Sequence, residues 1–413
     1  MKNLEISDIK DKKVSFCIVL QVTLMGIKNI LVQGVSFFKP INETLNVVIA
    51  AIALLFYLYS LQLVAGRRVC SSGKMFSLFI LASIVITFLV FPQNREYMQA
   101  YYLRWIIVFF LTAYLIVKLN TLEWLQHYML YGSYLITVAG IVYAVVVWNV
   151  GHSTMSDWST YSMSMSNVVM WAAMWQLHAF FKKRNKLSGI FAIFGLLIII
   201  VYGSRNPLLA FFVYSIICLY DRKSNKRDSY GITIVVTVLL LMGVIYFNTF
   251  IKEASSTLES YGMSSRTVSL VMSSDTEDFS TGRNYIHNEV KTLIWNNPIV
   301  GTGICGDEAN INELSHSLYL NIYATYGIII GSIFLISIIW LTIKTLKISS
   351  GLEHQILVMY MCMVFPRGFT GGDMWGSEVF WWLIGIIFMI LSNKQRVRRN
   401  AVSYIRKESV SVD

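Results

Sequence analysis

Three basic residues stand where turn chemistry interrupts long apolar runs, and together they describe an anion clamp with a proton acceptor. Arg205 lies in "YGSRNPLLAFF" (202–212), a tight turn between two hydrophobic stretches. Pro207 suits the first position of a helix and Asn206 its cap, which puts Arg205 beside the positive end of that helix. A guanidinium and unsatisfied N–H groups both attract anions there. Arg283, in "STGRNYIHNEVKTLIWNNPIVGTGIC" (280–305), falls in the first turn of another expected helix, where the same logic holds. Two arginines grip a pyrophosphate in a bidentate manner that lysine reproduces poorly. His316 opens "HSLYLNIYATYGIIIG" (316–331). With Ser315 as cap, His316 sits in the first helical turn, where the helix N-terminus and nearby cations keep the ring neutral and able to accept a proton. Tyr319, Leu320 and Tyr323 share its face, and Gly327-xxx-Gly331 permits close helix packing.

Plainer explanations stand beside these. An interfacial arginine snorkelling to headgroups accounts for Arg205, and a packed interfacial histidine accounts for His316. In the 280–305 stretch, Ile286, Val290, Leu293 and Ile294 fall at i, i+4, i+7 and i+8, while Arg283, His287 and Lys291 fall at i, i+4 and i+8. That pattern predicts an amphipathic helix at the outer membrane surface, capped by Ser280 or Thr281 and stopped by Asn296-Asn297-Pro298. A Gly301-x-Gly303 turn follows. A solvated basic face would read the same way. His287, one turn from Arg283, is the rival proton acceptor and ranks below His316; with Lys291 it tunes the local field.

These residues must be positioned by a membrane framework. The 413 residues are 55% hydrophobic and 14% charged, with a mean hydropathy of +0.58, which leaves too little charge for a soluble surface. Apolar stretches of about 20 residues recur, long enough to cross a bilayer core roughly 30 Å thick. None alternates as a β-barrel strand would, so the expected fold is an all-α, polytopic integral membrane protein. About twelve spans start near residues 14, 44, 75, 98, 127, 165, 188, 206, 231, 316, 353 and 374. The expected organisation is a single membrane domain over 1–413: nine helices in 14–250, a long exterior loop in 251–315, three helices in 316–391 and a basic tail in 392–413.

The net charge of +11 is distributed as a topology signal. With the N-terminus inside, about 24 basic residues fall inside against about 8 outside, as the positive-inside rule requires. Nucleic acid is not needed to explain it. Both termini are expected in the cytoplasm. No cleavable signal peptide is evident, because no small-residue cleavage site follows the first apolar run. The cytoplasmic loops are short, whereas a loop as long as 251–315 is uncommon unless functional or disordered. The five cysteines show no metal or disulfide spacing.

The order "SRNP" before a hydrophobic helix, a long exterior loop with "TGR" and "W-NNP-IVGTG", then "HSLYL" and "YG", resembles the O-antigen ligase and polymerase superfamily, which includes capsule and exopolysaccharide polymerases. These motifs cover about residues 200 to 331; the earlier helices are similar in hydropathy and count alone. The resemblance implies glycan transfer from undecaprenyl pyrophosphate to a sugar hydroxyl at the outer face of the cytoplasmic membrane, without metal or other cofactor. Arg205 and Arg283 would hold the lipid-linked pyrophosphate, and His316 would activate the acceptor hydroxyl. Implied partners are the undecaprenyl-pyrophosphate-linked oligosaccharide donor, a glycan acceptor, membrane lipid, and flippase and chain-length regulator proteins. Asn often follows that histidine in the superfamily; here Ser317 does. A sugar pyrophosphate already carries a good leaving group, so the site needs charge stabilisation and a base within about 3 Å of the attacking hydroxyl. No Asp-x-Asp metal motif occurs in the sequence, and arginine cations can take that part. Direct displacement would invert the anomeric carbon.

Other residues are candidates of lower rank. Tyr319, Tyr323, His287 and Lys291 could line the substrate path. Arg367, Asp373 and Glu378 flank the glycines of "FPRGFTGGDMWGSE" (365–378) and fit an acceptor-sugar subsite or an internal salt bridge. Asp157 and Trp158 could bind sugar or mark the interface. Lys28 and Arg104 lie within spans, where a charge is costly and either functional, snorkelling or paired. Polymerisation of repeat units leads; a ligase moving finished glycan to a lipid, protein or wall acceptor uses the same donor. A flippase or transporter is the rival from another class, though transporters place their polar groups near the bilayer midplane.

Overall fold

Apolar runs of this length become helices because only a helix satisfies its own backbone groups away from water. The structure, a computed structural model, describes residues 2–34, 41–99, 103–151, 163–202, 205–223, 283–369 and 371–410. Its longer helices are α1 (Lys2–Gly34), α2 (Asn42–Val64), α3 (Ser71–Val90), α4 (Leu103–Val117), α5 (Glu123–Gly151), α6 (Met163–Lys183), α7 (Lys186–Tyr202), α8 (Arg205–Lys223), α9 (Arg283–Asn296), α10 (Gly306–Ile311), α11 (Leu318–Ile348), α12 (Gly351–Val364) and α13 (Glu378–Val410). No strand occurs among the described residues. A helix stands at each expected span except the one near 231, which lies outside the described residues together with 251–282, Asp157 and Trp158.

Among the described residues, five helical stretches, in α1, α2, α3, α5 and α11, are long and apolar enough to cross a membrane, and shorter apolar helices accompany them. Leu55, Leu58, Met75, Leu78, Leu89, Ile333 and Ile336 are exposed on α2, α3 and α11. Such rows of bare aliphatic side chains suit lipid rather than water. The chain is therefore a multi-pass, all-α membrane protein.

Its contacts divide it into two compact units. One comprises Val19–Ile49 and Gln126–Gly282. There α6 and α7 form an antiparallel hairpin that turns at Arg184, which adopts the left-handed conformation (φ 52°). Gly195 lets the pair approach, since a Cβ would stand 2.8 Å from the Cβ of Ala173. Lys28 Nζ donates to Asn42 Oδ1 (3.1 Å) and Asn46 Oδ1 (2.7 Å), so the intramembrane lysine is paired. His178 is held between Gln126 (2.9 Å) and the Tyr214 hydroxyl (2.7 Å).

The other unit comprises Met1–Ile18, Ala50–Leu125 and Arg283–Asp413. Helices α4 and α13 pack closely at Gly385, where a Cβ would stand 2.9 Å from Ala113 O. One end of this unit carries a polar node. Arg67 pairs with the buried Asp11 and donates to Lys118 O (2.9 Å) and Ser7 O (3.1 Å). Lys118 returns a bond to Arg67 O. Asn120 N reaches Asp11 Oδ2 (3.1 Å), and Arg396 on α13 donates to Asn120 Oδ1 (2.5 Å) and Arg68 O (2.8 Å). The N-terminal segment, the 65–70 and 118–122 loops and the C-terminal helix thus share one end. These are four of the segments that the charge pattern assigns to one side of the membrane. Arg67→Ala would leave the Asp11 carboxylate buried without its cation. A loss of about 3–5 kcal/mol is expected, measured as a lowered unfolding midpoint in detergent; an unchanged midpoint would contradict the node's role.

Candidate functional site

At the far end of α3 from the polar node, the segment after α9 is wound against a break in α11. The expected stop holds: α9 ends at Asn296, with Asn297 N bonded to Ile294 O (3.1 Å) and Asn297 Nδ2 to Leu293 O (3.1 Å). Its apolar face is satisfied differently from expectation. Val290 and Ile294 are buried against Ala324 of α11, with Ile286, Leu320, Tyr323 and Ile328 around them. Protein, not the membrane surface, covers that face.

Gly327 was expected to serve close helix packing, and the structure corrects this. Its φ of 74° and ψ of 178° break α11, and the 298–303 segment takes up the released backbone groups. Ile328 N donates to Pro298 O (2.6 Å), Thr302 N to Ala324 O (2.8 Å) and Gly303 N to Thr325 O (3.1 Å). Gly301 and Gly303 have φ of 74° and 78°, conformations that glycine adopts without penalty. Asn94, fully buried, clamps the same segment from below by donating to Thr302 O and Ile304 O (both 2.8 Å), while Thr87 Oγ1 accepts from Ile304 N (3.1 Å).

This scaffold continues into the His316 turn. Asp307 is almost wholly buried, and its Oδ2 accepts from Ser315 N (3.0 Å) and Asn321 Nδ2 (3.2 Å). Asn321 Oδ1 in turn accepts from Met374 N (3.1 Å). The expected cap is also corrected: α11 starts at Leu318, and Ser317, not Ser315, is its N-cap, accepting from Leu320 N (3.4 Å). The Ser315 N–H is bonded to Asp307, and its hydroxyl donates to Ser317 O (3.3 Å) rather than capping a helix. His316 therefore precedes the helix and is half-buried, with a φ of 49°. Cys305 and Asn312 share that left-handed conformation (φ 60° and 54°). Three non-glycine residues in it within twelve positions, at about 1–2 kcal/mol each, mark a turn over-determined by its surroundings.

The last loop closes over this turn. Ser317 Oγ donates to Gly368 O (3.1 Å), and the Tyr319 hydroxyl donates to Phe365 O (3.1 Å), its ring lying 4.5 Å from that of Phe369. A small cavity lined by Leu318, Gly368, Gly371, Gly372, Asp373 and Ser377 lies between them. Asp373 Oδ1 accepts from Gly376 N and so shapes the loop while lining the cavity. Burial pushes the Cys305 thiol up, and Glu308, Asp307 and Asp373 add to the shift; a thiol held neutral is no nucleophile.

The sequence candidates are distributed unevenly. His316 and Tyr319 lie in and just after one turn, and the last loop, which carries Asp373, is bonded to that region through Gly368, Phe365 and Met374. Tyr323 points into the α9 seam instead, beside Gly331. His287 is half-buried and Lys291 exposed on α9. Arg283 is the first residue of α9 and Arg367 the first of a 3-10 turn, Arg367–Phe369; their side chains lie outside the described residues, as do those of Arg104 and Arg205, and Ser280 and Thr281 altogether. Helix α8 begins at Arg205 itself, two residues before the expected start at Pro207. Pro207 still falls in the first turn, where its missing N–H costs nothing. Sequence reasoning missed Asp307, Asn321 and Asn94. Their signal was faint: polar residues of ordinary type whose partners lie 8 to 210 positions away.

Asp307→Ala would strip the acceptor from two buried donors, each worth about 1–3 kcal/mol. The unfolding midpoint in detergent should fall accordingly; a wild-type midpoint would contradict the role assigned to Asp307.

Comparison with known families supplies an independent finding. Residues 190–336 match the family described as O-antigen ligase. The matched stretch runs from α7 past the break in α11 and contains Arg205, Arg283 and His316. No curated protein and no solved structure matches the chain.

Proposed function

We propose that this chain, which matches the O-antigen ligase family over residues 190–336, is a member of the O-antigen ligase and polymerase superfamily and polymerises undecaprenyl-pyrophosphate-linked oligosaccharide repeat units into capsule, exopolysaccharide or O-antigen. The reaction takes place at the outer face of the cytoplasmic membrane. The observation that carries this is the His316 turn, a half-buried histidine in a left-handed conformation between Ser315, which is bonded to Asp307, and Ser317, which is bonded to a glycine-rich loop.

In the proposed reaction, His316 takes the proton from the acceptor hydroxyl. The hydroxyl oxygen bonds to the anomeric carbon as the bond from that carbon to the phosphate oxygen breaks, inverting the centre. Undecaprenyl pyrophosphate leaves with the electron pair, its charge met by Arg205 and Arg283 rather than by a divalent ion. Tyr319, His287, Lys291, Arg367 and Asp373 are proposed to contact donor or acceptor. Tyr323 contributes through packing. Flippase and chain-length regulator proteins are the proposed partners, and both termini face the cytoplasm.

The family's description favours one second reading: transfer of finished glycan to a lipid, protein or wall acceptor. Gel profiles of a strain lacking the chain separate the two. Loss of chain length with single lipid-linked units remaining supports polymerisation. Unattached long chains would overturn it in favour of ligation. Arg283→Lys tests the clamp, because a point charge cannot replace the bidentate fork. Product should fall about tenfold or more, roughly the 1.4 kcal/mol that one charge-assisted hydrogen bond supplies; wild-type yield would remove Arg283 from the clamp.

A further inference from the structure

We propose that Trp295, Ile299 and Val300 form a ledge inserted into the lipid leaflet farthest from Lys344 and Lys347, so that the turn after α9 is membrane-embedded rather than solvated. The three side chains are 72%, 60% and 54% exposed, although the opposite face of α9 is buried on α11. Their height follows from α11. Pro298 O accepts from Ile328 N (2.6 Å) and Ile329 N (3.4 Å), which sets the ledge level with Ile329. Ile329 stands fifteen residues before Lys344, about 22 Å along the helix. Lys344 lies over the Trp340 ring, 4.7 Å from its centroid, an arrangement suited to a membrane interface. A core roughly 30 Å thick measured from there contains Ile329 with about 8 Å to spare.

Two further observations choose lipid as the occupant. Ile329 and Ile333 are themselves 55% and 62% exposed, so the ledge continues the lipid-facing row of α11. The backbone of the turn is also satisfied in part by protein. Pro298 brings no N–H, its carbonyl is taken twice by α11, and Gly301 N is bonded to Asn297 O (3.1 Å). Irregular backbone at membrane depth needs such internal satisfaction. Trp295, at the top of the ledge, lies where aromatic side chains collect at the headgroups. The ledge would fix α9, and Arg283 at its start, relative to the membrane surface. That last consequence rests on the proposed function; the ledge itself does not.

The test uses the full chain in liposomes, with Val300→Cys and Ile299→Cys each carrying an environment-sensitive fluorophore. Glu289→Cys on the exposed side of α9 serves as the aqueous control. The native cysteines are all buried, and signal from the unsubstituted chain is subtracted. Lipids bearing a spin-label quencher on the acyl chain should quench positions 299 and 300 several-fold more than 289, and iodide should do the reverse. Iodide quenching at 299 and 300 equal to that at 289 would overturn the ledge. Protection from both quenchers would also overturn it, in favour of a second protein copy as the occupant. Two ledge positions are used so that misfolding of one variant leaves the other decisive. Because the readout is depth and not product, its failure is distinct from failure of the proposed glycosyl transfer.

Discussion

His316→Ala should cut product formation about 10²–10⁴-fold, the range expected for loss of a general base, with the chain still present in the membrane. The left-handed turn complicates that substitution, because Ala pays for φ near 49°. His316→Asn separates the two effects. Asn enters the left-handed region readily but cannot accept a proton at neutral pH. Both variants should therefore be equally inactive, and His316→Asn should keep a wild-type unfolding midpoint. Activity restored by Asn would mean that the turn, and not the imidazole, is what the reaction needs.

Gly301→Ala should be the most damaging small substitution in the described chain. An added Cβ would stand 2.4 Å from Gly327 N and 2.6 Å from Ala324 O. These are backbone atoms and cannot rotate away. Alanine at φ 74° adds its own penalty. A loss of more than about 3 kcal/mol is expected, seen as failure to accumulate in membranes or a collapsed unfolding midpoint. Gly66→Ala is the control, since nothing lies within 4 Å of its added Cβ and wild-type behaviour is expected. Tolerance of Gly301→Ala would contradict the interlock between the 298–303 segment and the α11 break.

That interlock shows where the sequence was legible. Helix positions followed from apolar length and basic flanks, because lipid imposes them residue by residue. The stop at Asn296-Asn297-Pro298 followed from local capping chemistry. The role of Gly327 did not, because "YG" within an apolar helix reads equally as a packing contact or a break. Its partner, Pro298 O, lies across a connection that nothing local specifies. The choice of Ser317 over Ser315 as cap failed for a related reason. Both are good caps, and only the tertiary fold, which turns the chain at His316 and starts α11 at Leu318, decides which one caps. Asp307 itself had no periodic or motif signal.

The broken α11 also bears on the rival reading as a transporter, where discontinuous helices line a substrate path. Here the break is filled by protein backbone from Pro298 to Gly303, and the candidate base stands at a helix end. That arrangement supports interfacial transfer chemistry over passage through the bundle.

The central claim is that the chain itself joins lipid-linked glycans using the pyrophosphate bond of the donor. Purified protein in liposomes, given one lipid-linked repeat unit as both donor and acceptor and no sugar nucleotide, tests it most directly. The account predicts a ladder of lengthened products, one undecaprenyl pyrophosphate released for each linkage formed, and neither from His316→Ala. Release of pyrophosphate-lipid without lengthened product, or equal ladders from wild type and His316→Ala, would contradict it.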